Sequence, residues 1–158
     1  MTKPEAVQEL KAFIRNVPAR IAVSIWSSVP CTGGSQIQNL NRHRRWAVRR
    51  AREHEKLFLT LWGHFLELAE AVSNRNGTIS MEWPRGNRYW NRPEVQAFLD
   101  NYGMTKFTTV GCALGLQIED GPLAGLFVEK YWVIATNIPN LREHQHCACP
   151  HTHRHAKI

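Results

Sequence analysis

The residues best equipped for chemistry crowd one end of this chain. His144, His146, Cys147, Cys149, His151, His153 and His155 fall within twelve residues, 144–155. Thiolate and imidazole are the preferred ligands of zinc. The spacing differs from that of a standard zinc finger, but residues two apart in an extended strand point the same way. Such a tail is either an ordered metal site or a histidine-rich terminus that takes up metal adventitiously.

Two further groups are placed by the elements that precede them. A strand reading ends in Val29-Pro30-Cys31-Thr32, and another ends in Met81-Glu82-Trp83-Pro84. Ligands of open α/β sheets bind at the carboxyl ends of the strands. If these strands are parallel neighbours, the Cys31 thiol and the Glu82 carboxylate face one crevice. The plainer alternative makes Cys31 a loop thiol and Glu82 a helix cap or the partner of an arginine.

The third feature is a stripe of cations. Arg42, Arg45, Arg49, Arg52 and Lys56 recur every three or four residues, so a helix carries them on one face, flanked by Arg44 and Arg50. Only Glu53 and Glu55 oppose them. A solvated helix face usually mixes signs, whereas one-signed spacing suits a track of phosphates. Arg85, Arg88 and Arg92 alternate with Trp83, Tyr89 and Trp90 and either extend that surface with stacking platforms or cover the edge of the core.

Hydrophobic periodicity supplies the elements. Val7, Leu10, Ile14 and Val17 predict a helix over residues 4–17, ended by Pro18. Residues 21–29 are β-branched and nearly uncharged, the pattern of a strand buried on both faces. A long helix follows over 41–74, with Gly63 as a candidate break, and residues 78–83 read as a second strand. Asn91-Arg92-Pro93-Glu94 has the chemistry of a helix start, with Asn91 as cap, and Gly103 closes that helix. Residues 106–116 are strand-like, 119–122 a turn and 131–136 a last strand. The order predicts an α/β fold with a mostly parallel, Rossmann-like sheet, covering helices and a C-terminal antiparallel hairpin. Residues 1–139 form the α/β domain, and 140–158 form a tail docked on it through a metal.

Composition narrows the function classes. Apolar residues make up 43% of the 158, enough for one core, and no stretch approaches the roughly 20 apolar residues of a membrane span. The start lacks the charged and apolar regions of a signal peptide, so an intracellular protein is expected, with its four cysteines as thiols or metal ligands. Lys and Arg total 20 against 13 Asp and Glu, a net charge of +7 that favours polyanionic partners, and without an apolar span no membrane partner is expected.

The Pro30-Cys31 strand end, a crossover helix and a strand ending in Glu82 resemble the core of cytosine-C5 DNA methyltransferases. There a strand ends in Pro-Cys and the next in Glu-Asn-Val; Trp83 and Pro84 stand here for Asn and Val. The resemblance implies that Cys31 attacks C6 of a flipped base while Glu82 holds the ring near N3. Those enzymes bind S-adenosylmethionine with a glycine-rich loop upstream of Pro-Cys. Here no glycine precedes the first strand, so this chain alone is not expected to bind that cofactor.

A second resemblance spans most of the chain. The run from Ser28 to Gln36, the run from Glu82 to Trp90, Gly111 to Leu116, Trp132 to Asn137 and Cys149-Pro150-His151-Thr152-His153-Arg154-His155-Ala156 look like a domain of retrotransposon-type polyproteins. Val110 stands where that family usually has Asp. Its Cys-Pro-x-x-His-x-His pattern implies Cys149, His153 and His155 as ligands. Cys112, on a core strand, is the natural fourth, stapling the tail to the sheet with zinc. Together these features predict a zinc-stabilised domain of mobile-element or viral type that binds DNA or RNA. The alternative is a degenerate or split methyltransferase-like enzyme, or an accessory subunit whose fold a partner protein completes.

Overall fold

The computed structural model of the chain describes residues 3–35, 44–144 and 148–156. Its elements follow the expected order: α1 (Pro4–Asn16), β1 (Ser24–Ser27), α2 (Arg45–Ser73), β2 (Thr78–Pro84), α3 (Pro93–Asn101), β3 (Thr105–Val110) and β4 (Tyr131–Thr136). Arg42, His146 and Cys147 lie outside the described residues.

The sheet is mixed, which corrects the expectation of a mostly parallel, Rossmann-like one. Its order is β1-β2-β4-β3. Only β1 and β2 pair in parallel, joined through α2, while β4 runs antiparallel to both β2 and β3. The expected hairpin of β3 and β4 is present, but β4 enters between β2 and β3 instead of adding to the edge. That insertion separates β2 from β3 and leaves a single parallel ladder.

One face of the sheet is covered by helices. Ile79, Met81 and Trp83 alternate onto that face of β2 and meet Phe58, Trp62 and Phe65 of α2, with Val95, Phe98 and Leu99 of α3 beside them. Phe58 and Trp62 stack, and most other ring pairs are tilted or edge-on, with Trp62 and Phe98 centroids 5.3 Å apart and Trp83 and Trp90 4.9 Å apart. Such pairs add about 0.5–1.5 kcal/mol each beyond their area burial. α1 joins through Val7 and Ile14, and Lys11 bonds Glu67 of α2 at 3.0 Å. α2 runs unbroken through Gly63.

Three local expectations change. The strand expected over residues 21–29 shortens to Ser24–Ser27 and lies at the sheet edge, half covered instead of buried on both faces, because only β2 pairs with it. The cap of α3 is Arg92, with Pro93 in the first turn; Asn91 closes the preceding 3-10 turn, whose own cap is Asn87. β3 stops at Val110, so Cys112 sits in a 3-10 turn over Gly111–Leu114 and not on a strand. Gly111 permits this: a Cβ there would meet Leu116, Trp132 and the Val128 carbonyl at 2.8–3.1 Å.

The tail docks on the long β3–β4 connection. The Phe127 amide donates to the Arg154 carbonyl at 3.1 Å, and the Ala156 amide donates to the Phe127 carbonyl at 2.8 Å. Ala156 and Val128 are buried there.

Candidate functional site

Docking brings four potential ligands together. Cys112, Cys149, His153 and His155 present sulfur and nitrogen atoms that all lie within 4.8 Å of one another. Cys149 Sγ is 3.6 Å from His153 Nε2 and 3.4 Å from His155 Nε2, and the two imidazole nitrogens are 3.1 Å apart. Metal–nitrogen bonds of about 2.0 Å and metal–sulfur bonds of about 2.3 Å give tetrahedral edges of roughly 3.3–3.8 Å. The three separations among Cys149, His153 and His155 lie close to those edges, and the Cys112 sulfur lies within 4.8 Å of each of those atoms. The group can hold a metal ion, and its two sulfurs and two nitrogens fit a tetrahedral one.

Local structure explains each ligand's position. The chain bends at His153, and His155, two residues on, forms a bridge with Phe127. The Phe127 ring stacks on His153 with centroids 3.9 Å apart, which holds the imidazole in place. At Cys149-Pro150-His151 the chain turns sharply: His151 takes φ +54°, and its amide donates to Cys149 Sγ at 3.3 Å. Cys112 is buried by the turn after β3. That burial, then the neighbouring Cys149 sulfur, pushes the Cys112 thiol up.

Cys31 and Glu82 are brought to adjacent strand ends but not into one crevice. Glu82 and Trp83 are successive residues of β2 and so point to opposite faces. Trp83 joins the helix-covered core and donates from Nε1 to the Val29 carbonyl at 2.6 Å. Cys31 packs against that same core, in the turn that rests on Tyr89 and His54; a Cβ at Gly33 would collide with the Tyr89 hydroxyl. Glu82 lies on the other face, where Ser28 Oγ donates to it at 3.4 Å. Burial holds the Glu82 carboxyl above the usual range, opposed by Ser28 and by Lys130. No hydrogen bond joins Cys31 to Glu82 among the described residues.

The cationic stripe falls on α2 as the spacing requires. Arg45, Arg49, Arg52 and Lys56 are all exposed, and Arg44 and Arg50 flank them. Their face turns away from Phe58, Trp62 and Phe65, which α2 buries. Arg49 pairs with Glu53 at 3.1 Å in an exposed i,i+4 contact of little energetic weight. Glu55 is taken up by Arg92 at 2.7 Å, and Arg92 also stacks over Phe58 at 4.7 Å.

The second arginine group does not extend this surface. Trp83, Tyr89 and Trp90 are 1%, 4% and 6% exposed, so they are core residues and not stacking platforms. Arg85 lies over Tyr131, 4.5 Å from the ring centroid. Arg88 reaches the Gly33 carbonyl at 3.4 Å, beside His54 and on the opposite side of α2 from Arg52. Two residues escaped the sequence reading. Phe127 was hidden in a loop, and only its aromatic character hints at the imidazole it supports. Trp46, within the run of arginines, is 51% exposed on α2.

No family model matches this chain, and no curated protein or solved structure matches it either.

Proposed function

We propose that this chain is a nucleic-acid-binding α/β domain whose tail is stapled by zinc. One observation carries the binding reading: Arg45, Arg49, Arg52 and Lys56 share an exposed face of α2 on which only Glu53 opposes them. The helix dipole strengthens the case. Acidic residues stabilise the first turn of a helix, yet α2 has none there and opens with Arg44 and Arg45. Cations at that end add their field to that of the helix, and a phosphate chain relieves both. Trp46 offers a ring beside the stripe for stacking on a base.

Zinc is the metal we assign, because two thiolates and two imidazoles suit its tetrahedral preference. Four protein ligands fill such a shell and leave no position for substrate, so the role is structural. Bound there, zinc would tie residues 149–155 to the turn after β3. Base modification by Cys31 and Glu82 draws no support from their placement on opposite faces of the sheet.

The test is a titration of single- and double-stranded DNA and RNA against salt. Replacing Arg45, Arg49 and Arg52 together with Ala should weaken binding to many sequences about equally. If each contacts one phosphate, the slope of log affinity on log salt should fall by about 2–3. Unchanged affinity and slope would reduce the stripe to a solvated helix face.

A further inference from the structure

Two of the chain's four cysteines meet where the tail docks. The sulfurs of Cys112 and Cys149 lie within 4.8 Å of each other, whereas Cys31 sits at the turn after β1 and is not part of that group. Their surroundings differ. Cys112 is 3% exposed, while Cys149 is half-buried between the exposed Ala148 and Pro150. A small oxidant arriving from solvent therefore meets Cys149 first, with the Cys112 sulfur directly behind it.

The pair is held together by more than its own sulfurs. Backbone bonds join Phe127 to Arg154 and Ala156, and the Phe127 ring stacks on His153. These contacts involve no sulfur, so they keep the tail in place when the bonding of the sulfurs changes. A disulfide needs its sulfurs about 2.05 Å apart, whereas two thiolates on one tetrahedral zinc stand roughly 3.8 Å apart. The same two sulfurs can make one arrangement or the other, never both.

We propose that Cys112 and Cys149 are a reversible redox pair, which hydrogen peroxide joins as a disulfide at the expense of two of the four metal ligands. The Cys149 sulfur attacks one peroxide oxygen, the O–O bond breaks, and the departing hydroxide takes a proton from solvent to become water. The Cys112 thiolate then attacks the sulfenic sulfur of Cys149. The S–S bond forms as the S–O bond breaks, and the second hydroxide also leaves as water. Two electrons have passed from the sulfurs to the peroxide. His153 and His155 remain, and two imidazoles are half of a structural zinc shell. A dithiol reductant reverses the change by exchange, regenerating both thiolates. The inference deepens the zinc reading and rests on it only for the release of metal; the pairing of the sulfurs rests on their placement.

The test adds hydrogen peroxide in steps to the untagged full chain, and to a Cys31→Ser/Cys147→Ser variant whose only cysteines are Cys112 and Cys149. Zinc release is followed with a chromogenic chelator, free thiols are counted, and peptide mass spectrometry locates the bridge. Both proteins should form a Cys112–Cys149 bridge within one chain. About two thiols should be lost and about one zinc released for each peroxide consumed. Dithiothreitol with added zinc should restore the starting state, and protein stripped of metal by a chelator should form the same bridge. Cys112→Ser in the variant background should stop at the Cys149 sulfenic acid, which dimedone traps. A parent chain in which Cys149 joins Cys147 or Cys31 overturns the proposal, and so does one in which both sulfurs stay free after Cys31 is oxidised. The metal content of the starting protein separates the two readings. A chain that purifies without zinc yet forms this bridge removes the zinc reading and upholds the redox pair, whereas a zinc-loaded chain whose pair withstands peroxide does the reverse.

Discussion

Cys149, His153 and His155 are near enough in sequence to chelate a metal without any fold, whereas Cys112 reaches them only because the tail docks. Cys112 is therefore the ligand that links metal binding to folding. Cys112→Ser should lower both retained zinc and Tm. His151→Asn should preserve both, because His151 reaches Cys149 through its backbone amide, its ring is not among the four ligands, and Asn tolerates positive φ. Metal analysis and thermal melts of the two variants check this, and the opposite pattern would mean the ligands are wrongly chosen. Glu82 gives a different kind of test. Its carboxyl is held up by burial, so the folded chain binds that proton more tightly than the unfolded chain does. Stability from this group is present at low pH and lost as pH rises from the ordinary carboxylate range through the raised folded value. Glu82→Gln should be more stable than the parent at neutral pH, and the gain should vanish in acid. A denaturant series at several pH values showing the reverse trend would remove Glu82 as the cause.

At the scale of elements, α2 does two jobs along its length. Its later turns bury Trp62, Phe65, Leu68 and Val72 under the sheet, while its first turns, apart from the buried Ala47, stay exposed and basic. Losing the arginines should therefore cost binding and little stability. The turn after β1 depends on a different contact. Asn87 is 4% exposed; its Nδ2 donates to the Cys31 carbonyl at 2.7 Å, and its Oδ1 accepts from the Tyr89 amide at 2.9 Å. A Cβ at Gly34 would collide with that Oδ1. Asn87→Ala should cost about 1–3 kcal/mol, because two buried backbone groups lose their partner. Equilibrium unfolding measures this, and a near-neutral result would show that water replaces the amide freely.

For the whole molecule, zinc bound at this site would act as a ligand of the native state. At free zinc about 100 times its Kd the linkage supplies about 2.7 kcal/mol, so a chelator should lower Tm by about 5–10 °C in a domain of this size. Adding back zinc should restore the melt. A chelator without effect on Tm would mean that the tail's backbone bonds to Phe127 hold it without metal. Among the described residues no helix is long and apolar enough to cross a membrane.

Much of this protein is legible in its sequence, for identifiable reasons. Apolar periodicity marked α1, α2 and α3, because a helix must bury one stripe whatever it packs against. The spacing of Arg45, Arg49, Arg52 and Lys56 placed them on one face, because helix geometry is local. The nearness of His153 and His155 is equally local, although the chain bends at His151 and His153 where an extended tail is expected. What pairs with what is decided elsewhere. The insertion of β4 between β2 and β3 depends on contacts between distant segments, and no local pattern encodes strand order. Cys31 and Glu82 reached adjacent strand ends as their motifs suggest, but alternation along β2 sent Trp83 into the core and Glu82 to the far face. The arginines and aromatics after β2 alternate in sequence, yet only burial shows that the rings serve the core. Cys112 could be named from its residue type. Its meeting with Cys149, His153 and His155 came from the tertiary structure, because backbone bonds to Phe127 carry the tail across the β3–β4 connection to the turn that buries the thiol.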